Sequence, residues 1–298
     1  MSPNINKYKK KCYICRKNSL NLKIKNPKDL EYFYLRKGSY FLCNNCGTLS
    51  QFPLPSNTQI KKFYNNDYQN YSNSNNFLLK FISKIFFYLK FKDLSLGLKN
   101  KKKKIIDYGC GSGEILNNFF KNGYKNILGV DYVRSSNLNK KIKFSKNIKS
   151  AKGKFDLIIL NHIIEHSNNP EKLIKVLKNK LSINGVIIGS TPNSRDMFLK
   201  IFEKYWGCLH FPYHIHLFSK NSLKILCHKN NLKIKFYFDI QSTGLSMSLE
   251  NLIKDIFKIK KKGRMIFYPL VLIICTILNF MTFLIAQNTS ILKFKIYK

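Results

Sequence analysis

The stretch Ile105-Ile106-Asp107-Tyr108-Gly109-Cys110-Gly111-Ser112-Gly113-Glu114 constrains this chain most, because an apolar pair and an acidic residue run directly into three alternating glycines. Ile105 and Ile106 read as the end of a buried parallel strand. Ile115, Leu116, Phe119 and Phe120 supply the apolar stripe of a helix that stops at Asn122-Gly123. Glycines between the two let the backbone approach a ligand without Cβ clashes, and the helix N-terminus presents free N–H groups. The turn therefore reads as a nucleotide cradle. Its D-x-G-x-G-x-G spacing differs from the G-x-G-x-x-G of dinucleotide folds, and no Lys-Ser/Thr pair follows to make a P-loop. A second predicted strand, Ile127-Leu128-Gly129-Val130-Asp131, ends in a carboxylate able to accept both hydroxyl protons of a ribose.

Further along, Phe155-Asp156-Leu157-Ile158-Ile159-Leu160-Asn161-His162-Ile163-Ile164-Glu165-His166 precedes a predicted helix. That helix starts at Asn168-Asn169-Pro170-Glu171, buries Leu173, Val176, Leu177 and Leu181, and ends at Asn184-Gly185. Gly185-Val186-Ile187-Ile188-Gly189-Ser190-Thr191-Pro192-Asn193 follows. Strand and helix alternate, which implies a parallel sheet with its ligand site at the carboxyl ends of the strands. The order D-x-G-x-G-x-G, V-D, F-D-L-I, L-x-H-x-x-E-H-x-x-x-P, N-G-x-I-I and T-P-N resembles class I S-adenosylmethionine-dependent methyltransferases of the bacterial surface-polysaccharide type, over roughly residues 10 to 241. The resemblance implies an α/β fold with a Rossmann-like sheet, parallel except for one antiparallel strand. It also implies S-adenosyl-L-methionine as cofactor, held by Asp107, Gly109, Gly111, Gly113, Asp131 and Asn161.

Cys12-x-x-Cys15 and Cys43-x-x-Cys46 form two knuckles that can surround one tetrahedral Zn²⁺ with four thiolates. All four positions being thiolate, the metal is read as structural. The gap between the pairs exceeds that of a simple ribbon, so a hairpin of Leu20 to Ile24 with Tyr32 to Leu35 is expected to fill it. The competing reading is disulfides. The polar, lysine-rich start of the chain lacks a signal-peptide apolar core and favours a reducing cytoplasm. Continuing through Phe52-Pro53-Leu54-Pro55 and Phe63-Tyr64-Asn65-Asn66-Asp67-Tyr68, this region resembles the zinc-binding N-terminal module of sugar C-methyltransferases. Those proteins carry a further C-terminal domain that this chain is too short to hold, so C-methylation does not transfer with the resemblance. Their acidic adenine contact after the third strand has no counterpart in Phe144 to Ser150, which leaves Asn147, Ile148 or backbone. The expected organisation is a zinc-ribbon-like module over 1–66, a helical connector over 67–100 and the methyltransferase domain over 101–298, with an apolar helical insertion at 265–286. Cys110, Cys208, Cys227 and Cys275 are expected in the core.

Within the connector, 70–76 is polar and loop-forming. Phe77 to Phe91 is apolar with lysines at 80, 84 and 90, suited either to packing on the sheet over the cofactor or to a membrane surface. Lys99 to Lys104 read as a solvated loop.

The formal charge of +38 invites a nucleic-acid partner, but all of the 53 basic residues except Arg16, Arg36, Arg134, Arg195 and Arg264 are Lys, scattered among Asn and Ile. Phosphate and base recognition favour Arg forks, so nucleic acid is disfavoured as substrate. With no sequence repeats, the 298 residues suffice for one sizeable core and a small appendage.

Methyl transfer to oxygen needs alignment and removal of a proton, which suits histidine. Candidates are His162 and His166 beside the cofactor strand and His210, His214 and His216 further on; His214, whose P-x-H-x-x-x-F-S setting lies near the acceptor pocket in the resembling family, is favoured, then His166 and His216. A histidine held by backbone at the start of a helix from Asn221 to Lys229 would show the same pattern. The expected acceptor is a sugar hydroxyl, free or lipid-linked, in surface-glycan biosynthesis. A lipid or quinone precursor, or a non-catalytic scaffold, are the alternatives. Met265 to Ala286 runs without a charge for roughly 33 Å of helix, preceded by Lys258, Lys260, Lys261, Lys262 and Arg264. It is expected to lie on or dip into the cytoplasmic leaflet, with a single span or burial in protein as the other placements. The alternating tail Ser290 to Tyr297 is expected to return as the antiparallel strand.

Overall fold

Alternation of buried apolar runs with amphipathic stretches gives the chain its element order. In the computed structural model the described residues are 11–63, 77–96, 98, 100–237, 244–265, 268–286 and 289–298. The expectations for residues 64–68, 70–76, Lys99, Ile266 and Phe267 lie outside them. β1 (Leu20–Ile24), β2 (Ser39–Cys43) and β3 (Leu49–Phe52) lead into α1 (Asn57–Phe63) and α2 (Phe77–Ser95). Then come β4 (Ile105–Tyr108), α3 (Glu114–Lys121), β5 (Ile127–Val130), β6 (Lys143–Ser145), β7 (Phe155–Asn161), α4 (Pro170–Lys180) and β8 (Leu181–Pro192). The chain closes with α5 (Met197–Phe202), β9 (His216–Leu217), α6 (Lys220–His228), β10 (Lys233–Tyr237), α7 (Gly244–Ile256), α8 (Tyr268–Ala286) and β11 (Ile291–Tyr297).

Seven strands form the main sheet in the order β10-β11-β8-β7-β4-β5-β6. Every pairing from β8 to β6 is parallel, whereas β11 runs antiparallel to both β8 and β10. The fold is thus the Rossmann-like methyltransferase sheet, with the tail as its antiparallel strand. α3 buries Ile115, Leu116 and Phe119 and stops before Gly123, which adopts φ +89°. The C-terminal half of α2 packs on it through Phe91, whose ring meets Phe119 edge-on at 4.9 Å.

Two local expectations are corrected. β1 pairs with β2, not with Tyr32–Leu35. The Asp29 carboxylate accepts hydrogen bonds from the N–H groups of Glu31, Tyr32 and Tyr34, tying that segment into a turn, with Leu35 95% exposed. α4 ends at Lys180 rather than Asn184-Gly185, and Leu181 already pairs with Phe155. An irregularity in β8 between Leu181 and Val186 absorbs the turn residues, and Leu181 is buried as strand rather than helix.

The small sheet, β1-β2-β3-β9, does not belong to the N-terminal segment alone, since β9 comes from beyond the fifth strand of the main sheet. Cys12, Ile14, Cys43 and Cys46 share one apolar cluster with Phe218, Leu223 and Leu226. Cys110, Cys208, Cys227 and Cys275 are all buried. No helix among the described residues is long and apolar enough to cross a membrane. α8 packs on α7 through Tyr268, Leu272 and Met247, while Leu270, Ile277 and Leu284 remain about 60% exposed, so it is not buried wholly in protein.

Candidate functional site

Parallel register brings three strand ends together. Asp107 sits level with Gly129 on one side and Ile159 on the other, so two residues further on Gly109, Asp131 and Asn161 meet at the carboxyl edge. Gly109, Gly111 and Gly113 adopt φ values of +80°, +49° and +80°. A Cβ on Gly109 would lie 2.0 Å from Ile163 Cδ1, and one on Gly113 would lie 2.6 Å from Leu138 Cδ1. Side chains are therefore excluded from the turn by both conformation and space.

The Asp131 carboxylate braces this turn, accepting from Gly111 N (2.8 Å) on one oxygen and from Tyr132 N (2.7 Å) on the other. Each oxygen keeps lone-pair capacity for a further donor. Asn161 accepts from Ser190 Oγ at 3.1 Å, while its buried Nδ2 has no hydrogen-bond partner. An orphaned buried donor beside a glycine cradle is the kind of group a polar ligand satisfies. Burial pushes Asp107 up to about 7, with Lys90 opposing and Asp131 adding to the shift. At the predicted adenine edge the Asn147 side chain is engaged locally, accepting from Lys149 N, and Ile148 is buried.

Beyond β7 a 3₁₀ turn over Ile164–His166 faces the loop that leads to β9. Ile215 N donates to Glu165 O at 2.7 Å, which clamps the two segments together. His166 and His214 meet with ring centroids 4.7 Å apart. The Nδ1 of His166 faces Tyr213 O at 3.0 Å, and that of His214 faces Cys208 O at 2.7 Å. Since a carbonyl only accepts, each Nδ1 carries the proton and each Nε2 the lone pair. Burial lowers both: His166 falls to about 4, and His214 well below its ordinary value, so both are neutral at pH 7. His216 lies apart in the small sheet, fully buried, its Nδ1 sharing a hydrogen bond with Ser50 Oγ, and burial holds it at about 4.

Glu165 was quoted in the motif without a role, yet it is the fully buried charge between these histidines. Burial alone would raise it. The His162 imidazole, its Nδ1 3.3 Å from Oε1, with His166 beside it, reverses that and lowers it. Thr191 Oγ1 donates to its Oε2 at 2.9 Å. The E-H pair at the end of a strand was the available signal. His210 stood among the candidate histidines, but its partner Glu31 gave no signal, because their meeting is purely tertiary. His210 Nε2 lies 3.2 Å from Glu31, which Arg264 and His210 hold at about 2 against its burial. The N-terminal sheet also grips this loop: His214 O accepts from Tyr40 Oη and Gln51 Nε2.

The four sulfurs of Cys12, Cys15, Cys43 and Cys46 lie within 4.8 Å of one another. Cys12–Cys46 is 3.6 Å and Cys15–Cys43 is 3.5 Å. A tetrahedral Zn²⁺ with bonds of about 2.3 Å sets its sulfurs about 3.8 Å apart, whereas a disulfide needs about 2.05 Å. Gly47, at φ +77°, makes the turn of the second knuckle.

Residues 79–235 match the family described as "Methyltransferase domain". No curated protein matches the chain. Among solved structures, magnesium protoporphyrin IX methyltransferase from Synechocystis PCC 6803 is 16% identical, with 61% of this chain and 92% of that one covered at a TM-score of 0.45. A SAM dependent methyltransferase from Archaeoglobus fulgidus is 16% identical, covering 72% and 94% at 0.47. The 1,6-didemethyltoxoflavin-N1-methyltransferase from Burkholderia thailandensis is 14% identical, covering 53% and 72% at 0.41.

Proposed function

This chain belongs to the methyltransferase-domain family; from that premise we propose that it is an S-adenosylmethionine-dependent enzyme that methylates a sugar hydroxyl of a surface glycan or its precursor. The observation that carries the hydroxyl assignment is the pair of neutral imidazoles, His166 and His214, set beside an ionised Glu165 at the mouth of β7. The cofactor supplies a methyl group already activated on a sulfonium, so the protein has to align the acceptor and take its proton. Gly109, Gly111 and Gly113 leave room for the amino-acid end of the cofactor. Asp131 is placed to accept from the ribose, and Asn161 Nδ2 offers a donor. His214 or His166 takes the acceptor proton on Nε2, and the Glu165 carboxylate favours the imidazolium that results. His216 holds the β9 edge against Ser50.

The four thiolates fit one structural Zn²⁺, whose work is to hold the sheet that grips His214 O. The four-cysteine cluster beside this sheet supports the sugar reading, through the resemblance to the module of sugar methyltransferases. A lipid-linked sugar is favoured by one observation: α8 leaves Leu270, Ile273, Ile274, Ile277, Leu278 and Met281 exposed, and Lys260, Lys261 and Lys262 precede it in the sequence. Such a helix suits the interface of a membrane with anionic lipids. The test is methyl transfer from labelled cofactor to nucleotide-linked sugars, lipid-linked sugars and phenolic quinone precursors. Label on a sugar oxygen supports the proposal. Label on the phenol alone overturns it.

A further inference from the structure

Glu165, His166 and His214 have a property that proton transfer does not require. One ligating atom from each lies within 4.8 Å of the others, the only such group among the described residues besides the four cysteines. We propose that these three side chains bind a divalent first-row transition cation, separate from the structural zinc, with its open positions directed to an acceptor oxygen.

Three observations carry this. First, both imidazoles are oriented as metal ligands are, with Nδ1–H fixed on a backbone carbonyl (Tyr213 O and Cys208 O) so that the Nε2 lone pair is the coordinating one. Second, Glu165 is fully buried with Oε2 anchored by Thr191, while Oε1 faces His162 Nδ1 at 3.3 Å in a contact too poorly directed to be a hydrogen bond. A buried carboxylate oxygen left without a donor wants a cation. Third, the elements are braced around the site. Ile215 N bonds Glu165 O, and the Tyr40 and Gln51 side chains hold His214 O, so the ligand-bearing segments are fixed from both sides.

Donors around a cation with bonds of about 2.0–2.1 Å stand about 3.0–3.4 Å apart, so from separations of up to 4.8 Å the three need to close by at most about 1.4–1.8 Å. Two imidazoles and one carboxylate is a set used for Zn²⁺, Fe²⁺ and related ions, and it leaves positions open. A cation there would occupy the Nε2 lone pairs and lower the pKa of a bound hydroxyl, so with the metal in place activation of the acceptor would pass from the imidazole base of the reading above to the cation. The site does not depend on which acceptor is used.

Co²⁺ alone serves as probe, added to full-length protein whose thiolate site holds Zn²⁺, with neither cofactor nor acceptor present. Expected is one Co²⁺ retained per chain on dialysis, with ligand-field absorption free of thiolate charge transfer and the zinc still in place. Glu165→Gln and, as a second variant at a less buried position, His166→Gln should each weaken Co²⁺ at least tenfold, with circular dichroism and zinc content unchanged. No retained Co²⁺, Co²⁺ appearing only by exchange into the thiolates, or retention indifferent to both substitutions overturns the site. Because binding is read without turnover, failure here leaves the methyl-transfer reading standing, and failure of that reading leaves this result interpretable.

Discussion

Replacing Gly109 by Ala attacks the cradle at its narrowest point. The residue adopts φ +80°, where a side chain costs about 1–2 kcal/mol, and the added Cβ would sit 2.0 Å from Ile163 Cδ1 and 2.6 Å from its Cγ1. Relieving that overlap displaces Ile163 and adds about 1–3 kcal/mol of overpacking, for about 2–5 kcal/mol in all. Gly123→Ala is the control, since it shares the backbone strain at φ +89° but meets nothing within 4 Å, and it should cost about 1–2 kcal/mol. Urea midpoints give the two stabilities, and titration calorimetry with S-adenosylhomocysteine gives binding. Gly109→Ala should lose at least tenfold in affinity, while Gly123→Ala binds as wild type. Gly109→Ala/Ile163→Ala should recover part of the stability, because the second substitution removes the colliding atoms. Equal midpoints for Gly109→Ala and Gly123→Ala, with binding intact in both, would refute the claim that the turn is closed to side chains because it is a ligand cradle.

Asp107 has a usual value near 3.8 when unfolded and about 7 in the fold, so the folded state binds the extra proton between them. The contribution of Asp107 to stability should therefore be greatest below about pH 4 and fall by on the order of 3–4 kcal/mol as pH rises to 7, opposed at the acid end by Glu31 and Glu165, which are lowered; the difference between wild type and Asp107→Asn in urea midpoint should follow that slope, and a difference independent of pH would exclude Asp107 as its source. Chelation of zinc, or Cys43→Ser, should loosen the small sheet and with it the His210–His216 loop, while the glycine turn still binds S-adenosylhomocysteine; wild-type zinc content in Cys43→Ser would show the ligand set is wrong. If the acceptor is a hydroxyl, His214→Ala should lower turnover by about 10²–10⁴-fold with cofactor affinity nearly unchanged; an unaltered rate against a verified acceptor would leave His214 as a residue that only holds its loop to Cys208 O.

The cradle was legible because its determinants are local. Glycines at alternate positions need no partner to betray a turn, and the apolar periodicity of Ile115, Leu116 and Phe119 locates the helix after it. The two cysteine knuckles were legible for the same reason. The tail strand was legible from alternation, although only its pairing with both β8 and β10 puts it inside the sheet rather than at its edge. Contacts made across long separations were not legible. β9 joins β3 across more than 160 residues with only two residues of pairing, too short to leave a period in the sequence. Tyr32 to Leu35 has the composition of a strand, but the Asp29 carboxylate captures its N–H groups, a side-chain competition that outweighs propensity. Glu165 looked like a motif letter. Its weight comes from the burial and the two histidines that the fold gathers around it.

Calorimetry of S-adenosylmethionine and S-adenosylhomocysteine with the intact protein, beside Asp131→Ala, tests the central claim most directly. The account predicts saturable binding of both, weakened by roughly 1–3 kcal/mol when the carboxylate that bridges Gly111 N and Tyr132 N is removed. No heat with either ligand at concentrations well above millimolar, or affinity indifferent to Asp131→Ala, would contradict it.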